Sequence, residues 1–252
     1  MKINSDINIL GSLPDWDLIN LFFNKDIKTV NEEGGFHTYT AIKTDKSVKR
    51  FEKAITVTFL QFKQEAFKSL FKSLLDNEQI SQDTRLFLFW NASLNNELLD
   101  YLNRNVFFPA FYSGRVSIRA EEVTACLNDL KQTEVALQKW SEITIKTTAS
   151  KYLTLLKKFG LMEGSVKKSI VHPYLNDKMF VYFIYWMVAL SEKPNLLGSD
   201  WLKYNFSDYQ IFIERLLKKR FTKFFNVIYT GDRLQIEPLI PYHEIYETIT
   251  KS

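Results

Sequence analysis

The chain has one cysteine, eight glycines and three histidines in 252 residues, and each scarcity removes a class of chemistry. A single thiol, Cys126, cannot close an intramolecular disulfide, and its place on the apolar face of a predicted helix reads as core packing in a reducing compartment. The few glycines form no GxxxxGK[ST] or GxGxxG loop, so the backbone-amide cradle that nucleotide enzymes use for phosphates is missing. His37, His172 and His243 stand far apart, and none falls in HxxxH, HExxH or a Cys/His pattern, which argues against a metal site. Gly-x-Ser-x-Gly is absent too, and the carboxylates are scattered among amphipathic helices rather than paired for acid/base work. The expectation is a protein that is not an enzyme and holds no cofactor.

The chain also lacks a long apolar run and a strong net charge. Its start, MKINSDINILGSLPDW, has no basic region followed by an uninterrupted apolar stretch, so no secretory signal is expected. Met179 to Leu190, MFVYFIYWMVAL, is closed off by Lys178, Glu192 and Lys193; as a helix it covers about 18 Å, against about 30 Å of bilayer hydrocarbon. It reads as a buried helix, with a cytoplasmic address and no membrane partner. The 33 basic and 29 acidic side chains nearly cancel, so contact with a polyanion must come from local clustering. Residues 1–110 carry 13 basic against 14 acidic side chains, residues 111–175 carry 10 against 6, and residues 176–252 carry 10 against 9. Only the middle part is clearly positive.

What that middle part contains is a patterned helix. Ile145, Ala149, Tyr152, Leu156 and Phe159 recur at helical spacing and line one face, leaving Lys146, Thr147, Ser150, Lys151, Thr154 and Lys158 on the other. Gly160 follows, where a helix exits through a left-handed conformation, and Leu161 can fold back on the last turn. Leu161 to Glu163 and Val166 to Val171 flank Gly164-Ser165 as a short hairpin whose second strand carries Lys167 and Lys168. Upstream, Ser117 to Leu130 and Thr133 to Trp140 supply two more helices. This is the order of parts in a winged helix-turn-helix, although an amphipathic helix with solvated lysines is the plainer reading.

The remainder reads as mostly helical. Ser12-Leu13-Pro14-Asp15 opens a first helix, Asn31 to Gly35 breaks the chain, and Thr44 or Ser47 caps a segment whose AITVTFLQF run leaves its type open. Ala66 to Leu75, Ser81 to Trp90 and Asn95 to Leu102 are helical, and Phe107 to Gly114 is the candidate connection. Ser207 caps a helix with Ile211, Leu216, Leu217, Phe221 and Phe224 as core, followed by a strand pair, Val227 to Tyr229 and Leu234 to Glu237. The expected class is mainly α, with a helical region 1–110, a winged helix-turn-helix 111–175, and a helical region 176–252 carrying a β-hairpin. Arg215, Lys218, Lys219 and Lys223 form a second basic cluster there.

The segments RLFLFWNASLNNELLDYLNRNVFFPAFYSGRVSIRAEEVTACLNDL and TASKYLTLLKKFGLMEG, with IVHPYLNDKMFVYFIYW, resemble the BrxA family of BREX phage-defence systems over about residues 80–190. The resemblance implies a small, non-catalytic, mostly helical protein that binds double-stranded DNA. It also implies helix-turn-helix folding partly comparable to the antitermination factor NusB, and other BREX components, such as the methyltransferase, as partners. It carries the site to Lys151, Thr154, Lys157 and Lys158. Lysines without arginine or Asn/Gln pairs favour phosphate neutralisation over base reading. The rival readings are a protein-interaction subunit, suggested by 21 Phe, 12 Tyr and 5 Trp, and an RNA-binding module.

Overall fold

Side-chain caps set where several helices begin. Thr44, Ser81, Asn96 and Ser141 each sit in extended conformation and accept a backbone N–H three residues on, at 3.3, 3.1, 3.0 and 3.2 Å; this satisfies a donor that the first helical turn leaves open. The computed structural model describes residues 3–24, 42, 44–74, 80–165, 167–191 and 194–250. The break expected at Asn31 to Gly35, together with His37, Leu75, Val166, Glu192 and Lys193, lies outside the described residues. The chain folds as two units, residues 1–61 with 77–172, and residues 62–76 with 173–252. The first unit ends at His172, and residues 110 and 111 lie together inside it.

The protein is mostly helical with short antiparallel hairpins, as the sequence pattern implies. In the first unit, α1 (Asp6–Leu10), α2 (Asp17–Asn24) and α3 (Asp45–Thr58) precede the second unit's α4 (Glu65–Leu74). The ambiguous AITVTFLQF run is helical as far as Thr58. Val48, Ile55 and Phe59 fall on one side and are fully buried, so packing outweighs the reluctance of β-branched residues to enter a helix. α5 (Gln82–Asn95) and α6 (Glu97–Leu102) follow. Asn91 and Asn95 on α5 donate to the carbonyls of Thr58, Phe59 and Gln61, closing the end of α3.

Phe107 to Gly114 is not the connection its proline suggests. A π-helical turn, Asn103–Phe107, runs straight into α7 (Phe108–Tyr112), and Phe107, Phe108, Ala110 and Phe111 are buried. Pro109 stands in the first turn of α7, where its missing N–H costs no helical hydrogen bond. Next come α8 (Ala120–Thr133), α9 (Val135–Gln138), α10 (Glu142–Lys158) and the hairpin β1 (Met162–Glu163) with β2 (Ser169–Ile170). Met162 pairs with Ile170 and Glu163 with Ser169, while Ser117 adds a single bridge to Ser169. Cys126 is half-exposed rather than a core residue; its thiol is hydrogen-bonded to Tyr101, and burial pushes its pKa up.

α10 is the centre of this unit, with α8 packed on one side and α1 on another. No sequence feature singled out α1. Its exit residue Gly11 lies so close to α10 that a Cβ there would stand 2.5 Å from the Lys151 carbonyl oxygen. At the other end, Phe159 meets Trp16, Phe59 and Phe89 at ring separations of 5.7, 5.9 and 5.3 Å. A fully buried polar chain crosses the same core. Tyr152 donates to Asn103 Oδ1 (2.9 Å), Asn103 Nδ2 to Ser93 Oγ (3.0 Å), and Ser93 to the Phe89 carbonyl (2.8 Å).

The second unit is built on α11 (Asp177–Leu190), buried from Met179 through Met187. Phe67 of α4 and Trp201 pack on its Trp186 at 6.3 and 5.2 Å. The remaining elements are α12 (Tyr209–Leu216), β3 (Phe225–Tyr229) paired with β4 (Leu234–Pro238), and α13 (Ile245–Thr250). α12 starts after Asp208, not Ser207, and ends at Leu216. The chain turns at Lys218 and reaches the buried Phe221 through a 3-10 turn, Lys219–Phe221; Ile211 and Leu217 are accordingly exposed rather than core.

Gly160 closes α10 at φ +77°, with Leu161 N–H returning to the Leu156 carbonyl at 3.0 Å. A Cβ there would run into the Gln82 side-chain amide, and Gln82 also holds the Phe159 carbonyl at 3.0 Å. Gly160→Ala should therefore cost about 1–2 kcal/mol from the left-handed conformation alone. A lowered urea midpoint at unchanged slope is the expected reading.

Candidate nucleic-acid interface

The two faces of α10 follow from its period. Ile145, Thr148, Ala149, Tyr152, Leu153, Leu155 and Leu156 are buried, and at about 100° per residue the opposite arc holds Ile143, Lys146, Thr147, Ser150, Lys151, Thr154, Lys157 and Lys158. Uncharged residues, Ile143, Thr147, Ser150 and Thr154, run down the middle of that arc. Lys146 and Lys157 form one margin, Lys151 and Lys158 the other. Lys146, Thr147, Ser150, Lys157 and Lys167 are exposed, whereas Lys151, Thr154, Lys158 and Lys168 are half-buried.

The hairpin is stitched to this face. Lys157 Nζ donates to the Gly164 carbonyl at 2.8 Å, and Lys168 Nζ donates to Thr154 Oγ1 at 3.1 Å. Lys158 turns to the other side and donates to the Leu13 carbonyl in the segment between α1 and α2. Among the described residues, no hydrogen bond or ion pair engages the side chains of Lys146, Thr147, Ser150 or Lys167.

Lys168 and Lys158 each lie within electrostatic reach of Lys151 and Lys157. Burial lowers the Lys168 pKa, and the like charges of Lys157 and Lys151 lower it further. Burial also lowers that of Lys158; Asp15 opposes the shift, while Lys151 and Lys157 add to it. Gathered like charge of this kind is relieved by an anion.

The other predicted residues belong to the second unit. Arg215 is held inside it: its guanidinium meets Asp177 at 2.8 Å and lies 4.3 Å from the Phe180 ring centre, and Arg220 takes the second Asp177 oxygen at 3.0 Å. Lys218, Lys219 and Lys223 are exposed, with Lys223 Nζ 4.9 Å from the Phe224 ring. Ile143 is the residue that sequence reasoning passed over, although its spacing from Lys146 and Thr147 already places it on the polar face.

Comparison with known families adds one finding. The BrxA family model matches residues 41–184, more than half of the chain. The chain belongs to the BrxA family. The BrxA match runs from the start of α3 through the hairpin β1–β2 and into α11, so it contains every predicted site residue of the first unit; it stops before Arg215, Lys218, Lys219 and Lys223. No curated protein and no solved structure matches the chain. BrxA membership implies a component of a BREX phage-defence system, with partners within that system. Among the described residues, no helix is long and apolar enough to cross a membrane.

The depressed lysines give a signed pH effect. In the unfolded chain Lys158 and Lys168 hold their protons up to about pH 10.4, and in the folded protein they release them earlier. The unfolded state then binds more protons, so their unfavourable contribution is full below the folded values and fades as pH rises towards the unfolded one. Lys158→Met/Lys168→Met should flatten the rise in unfolding free energy as pH climbs towards the unfolded lysine value of about 10.4, read by urea titration at each pH.

Proposed function

We propose that this BrxA-family chain is a non-catalytic, double-stranded DNA-binding component of its BREX system, in which α8, α9, α10 and the hairpin β1–β2 act as a winged helix-turn-helix. The observation that carries the reading is the exposed arc of α10: an uncharged centre between lysine margins, beside a lysine-bearing hairpin that is hydrogen-bonded to it. A helix lying in a groove needs a short, unhindered centre and cations placed to meet the phosphates on either side.

In this mechanism α10 enters the major groove. Lys146 and Lys157 meet one backbone, Lys151 takes the other, and Lys167 and Lys168 extend the contact along the hairpin. Lys158 contributes charge from its tether at Leu13. The exposed Lys218, Lys219 and Lys223 form a second set of phosphate contacts, while Arg215 keeps its place through Asp177. Neutralisation dominates, so binding is steeply salt-dependent and weakly specific. The protein acts in the cytoplasm beside other BREX components such as the methyltransferase.

The interaction-subunit reading began from the aromatic surplus, and that surplus is largely internal. Trp90, Trp186, Tyr152, Tyr182, Tyr185, Phe59, Phe67, Phe71, Phe87, Phe89 and Phe107 are fully buried, so their number is explained by packing.

Lys146→Ala/Lys167→Ala removes two exposed cations that have no hydrogen-bond or ion-pair partner among the described residues. The slope of log affinity against log salt, measured by anisotropy on a duplex, should fall by about two units; an unchanged slope removes both residues from the site. Structured RNA outcompeting the duplex would transfer the reading to RNA. Absence of any shift at low salt, with capture of other BREX components retained, would favour the interaction subunit.

A further inference from the structure

α10 contains no arginine, asparagine or glutamine, so it has none of the forked side chains that read guanine or adenine through paired hydrogen bonds. It does present an aliphatic side chain where none is needed to hold the fold. Ile143 is 78% exposed, the most exposed of the large hydrophobic residues described. It stands in the first turn of a 17-residue helix whose buried side is already filled by seven residues. Thr147 follows one turn later on the same line, exposed, with its hydroxyl unengaged among the described residues.

In the major groove, one feature of a base pair is recognised by apolar contact rather than by hydrogen bonds. It is the C5-methyl group of thymine. Ile143 offers branched methyl groups, and Thr147 offers one more. Residues four apart on a helix are separated by about 6 Å along its axis, close to the roughly 6.8 Å of two base steps at 3.4 Å each. The lysines at the margins supply the complementary charge: with phosphates held on both sides, the middle of the arc is what faces the base edges. In helix-turn-helix docking, the N-terminal residues of the inserted helix are the ones that reach bases, and Ile143 is at that end.

We propose that Ile143, supported by Thr147, reads thymine methyl groups in the major groove, giving the protein a preference for thymine-containing steps. This rests on the duplex-binding reading above, and it changes that reading in one respect: the specificity is modest and carried by methyl groups, while affinity remains with the lysines.

The test compares an alternating A·T duplex with the same duplex in which deoxyuridine replaces thymidine, and a G·C duplex with one in which 5-methylcytosine replaces cytosine. The second pair places a methyl group at the equivalent groove position. Wild-type protein should bind the uridine duplex about fourfold more weakly for each recognised methyl group removed, and the 5-methylcytosine duplex more tightly than its parent. Ile143→Ala should shrink both differences while retaining the wild-type salt slope and thermal midpoint, since the side chain is exposed.

Equal binding of thymine and uracil duplexes by wild-type protein, with a steep salt slope intact, overturns this inference and leaves duplex binding standing. Retention of both differences at their wild-type size in Ile143→Ala overturns the role of Ile143. Absence of salt-dependent binding to any of the four duplexes overturns the duplex reading and this inference together.

Discussion

The packing of Phe159 against Trp16, Phe59 and Phe89 is the interaction on which the first unit depends. These rings come from the segment before α2, the end of α3, the middle of α5 and the end of α10, so one cluster ties together parts of the chain that are far apart in sequence. Each aromatic pair adds about 0.5–1.5 kcal/mol beyond the area it buries. More important is where the cluster lies. It fixes the C-terminal end of α10, directly before the turn at Gly160 that launches the hairpin, so helix and hairpin are set by the same anchor.

From that anchor the rest of α10 is partitioned by its period. The buried side is filled by aliphatic residues, Tyr152 and the small Ala149, which lets α8 and α1 approach from different directions. The exposed side cannot help to hold the core, and its composition is free to answer to something else. Its lysines are placed at a cost, visible as the depressed ammonium groups of Lys158 and Lys168. In the second unit Asp177 accepts both Arg215 and Arg220, so each guanidinium there has a carboxylate oxygen within 3.0 Å.

Much of this was legible in the residues themselves. The spacing of Ile145, Ala149, Tyr152, Leu156 and Phe159 gave α10 its bounds and its inner face, Gly160 marked its end, and Gly164-Ser165 marked the hairpin. The misreadings had physical causes. α1 has only five residues, too few for a period to show, and is held by packing on α10 rather than by propensity. Pro109 suggested a break because proline interrupts helices, yet in a first helical turn it does not. α12 stops early because burying Phe221 requires the chain to change direction. Cys126 shares the period of Val123 and Leu127 but lies at the edge of the buried stripe, and a pattern of threes and fours does not reveal which edge the core reaches.

The hydrogen-bonded chain from Tyr152 through Asn103 to Ser93 has a mechanical consequence. Rolling α10 about its own axis would pull the Tyr152 hydroxyl off Asn103 and strand a buried amide, a penalty of about 1–3 kcal/mol before any apolar packing is disturbed. The helix is thereby keyed at mid-length as well as clamped at its end. Its outward surface behaves as a rigid die, and whatever is pressed against it must supply the bending.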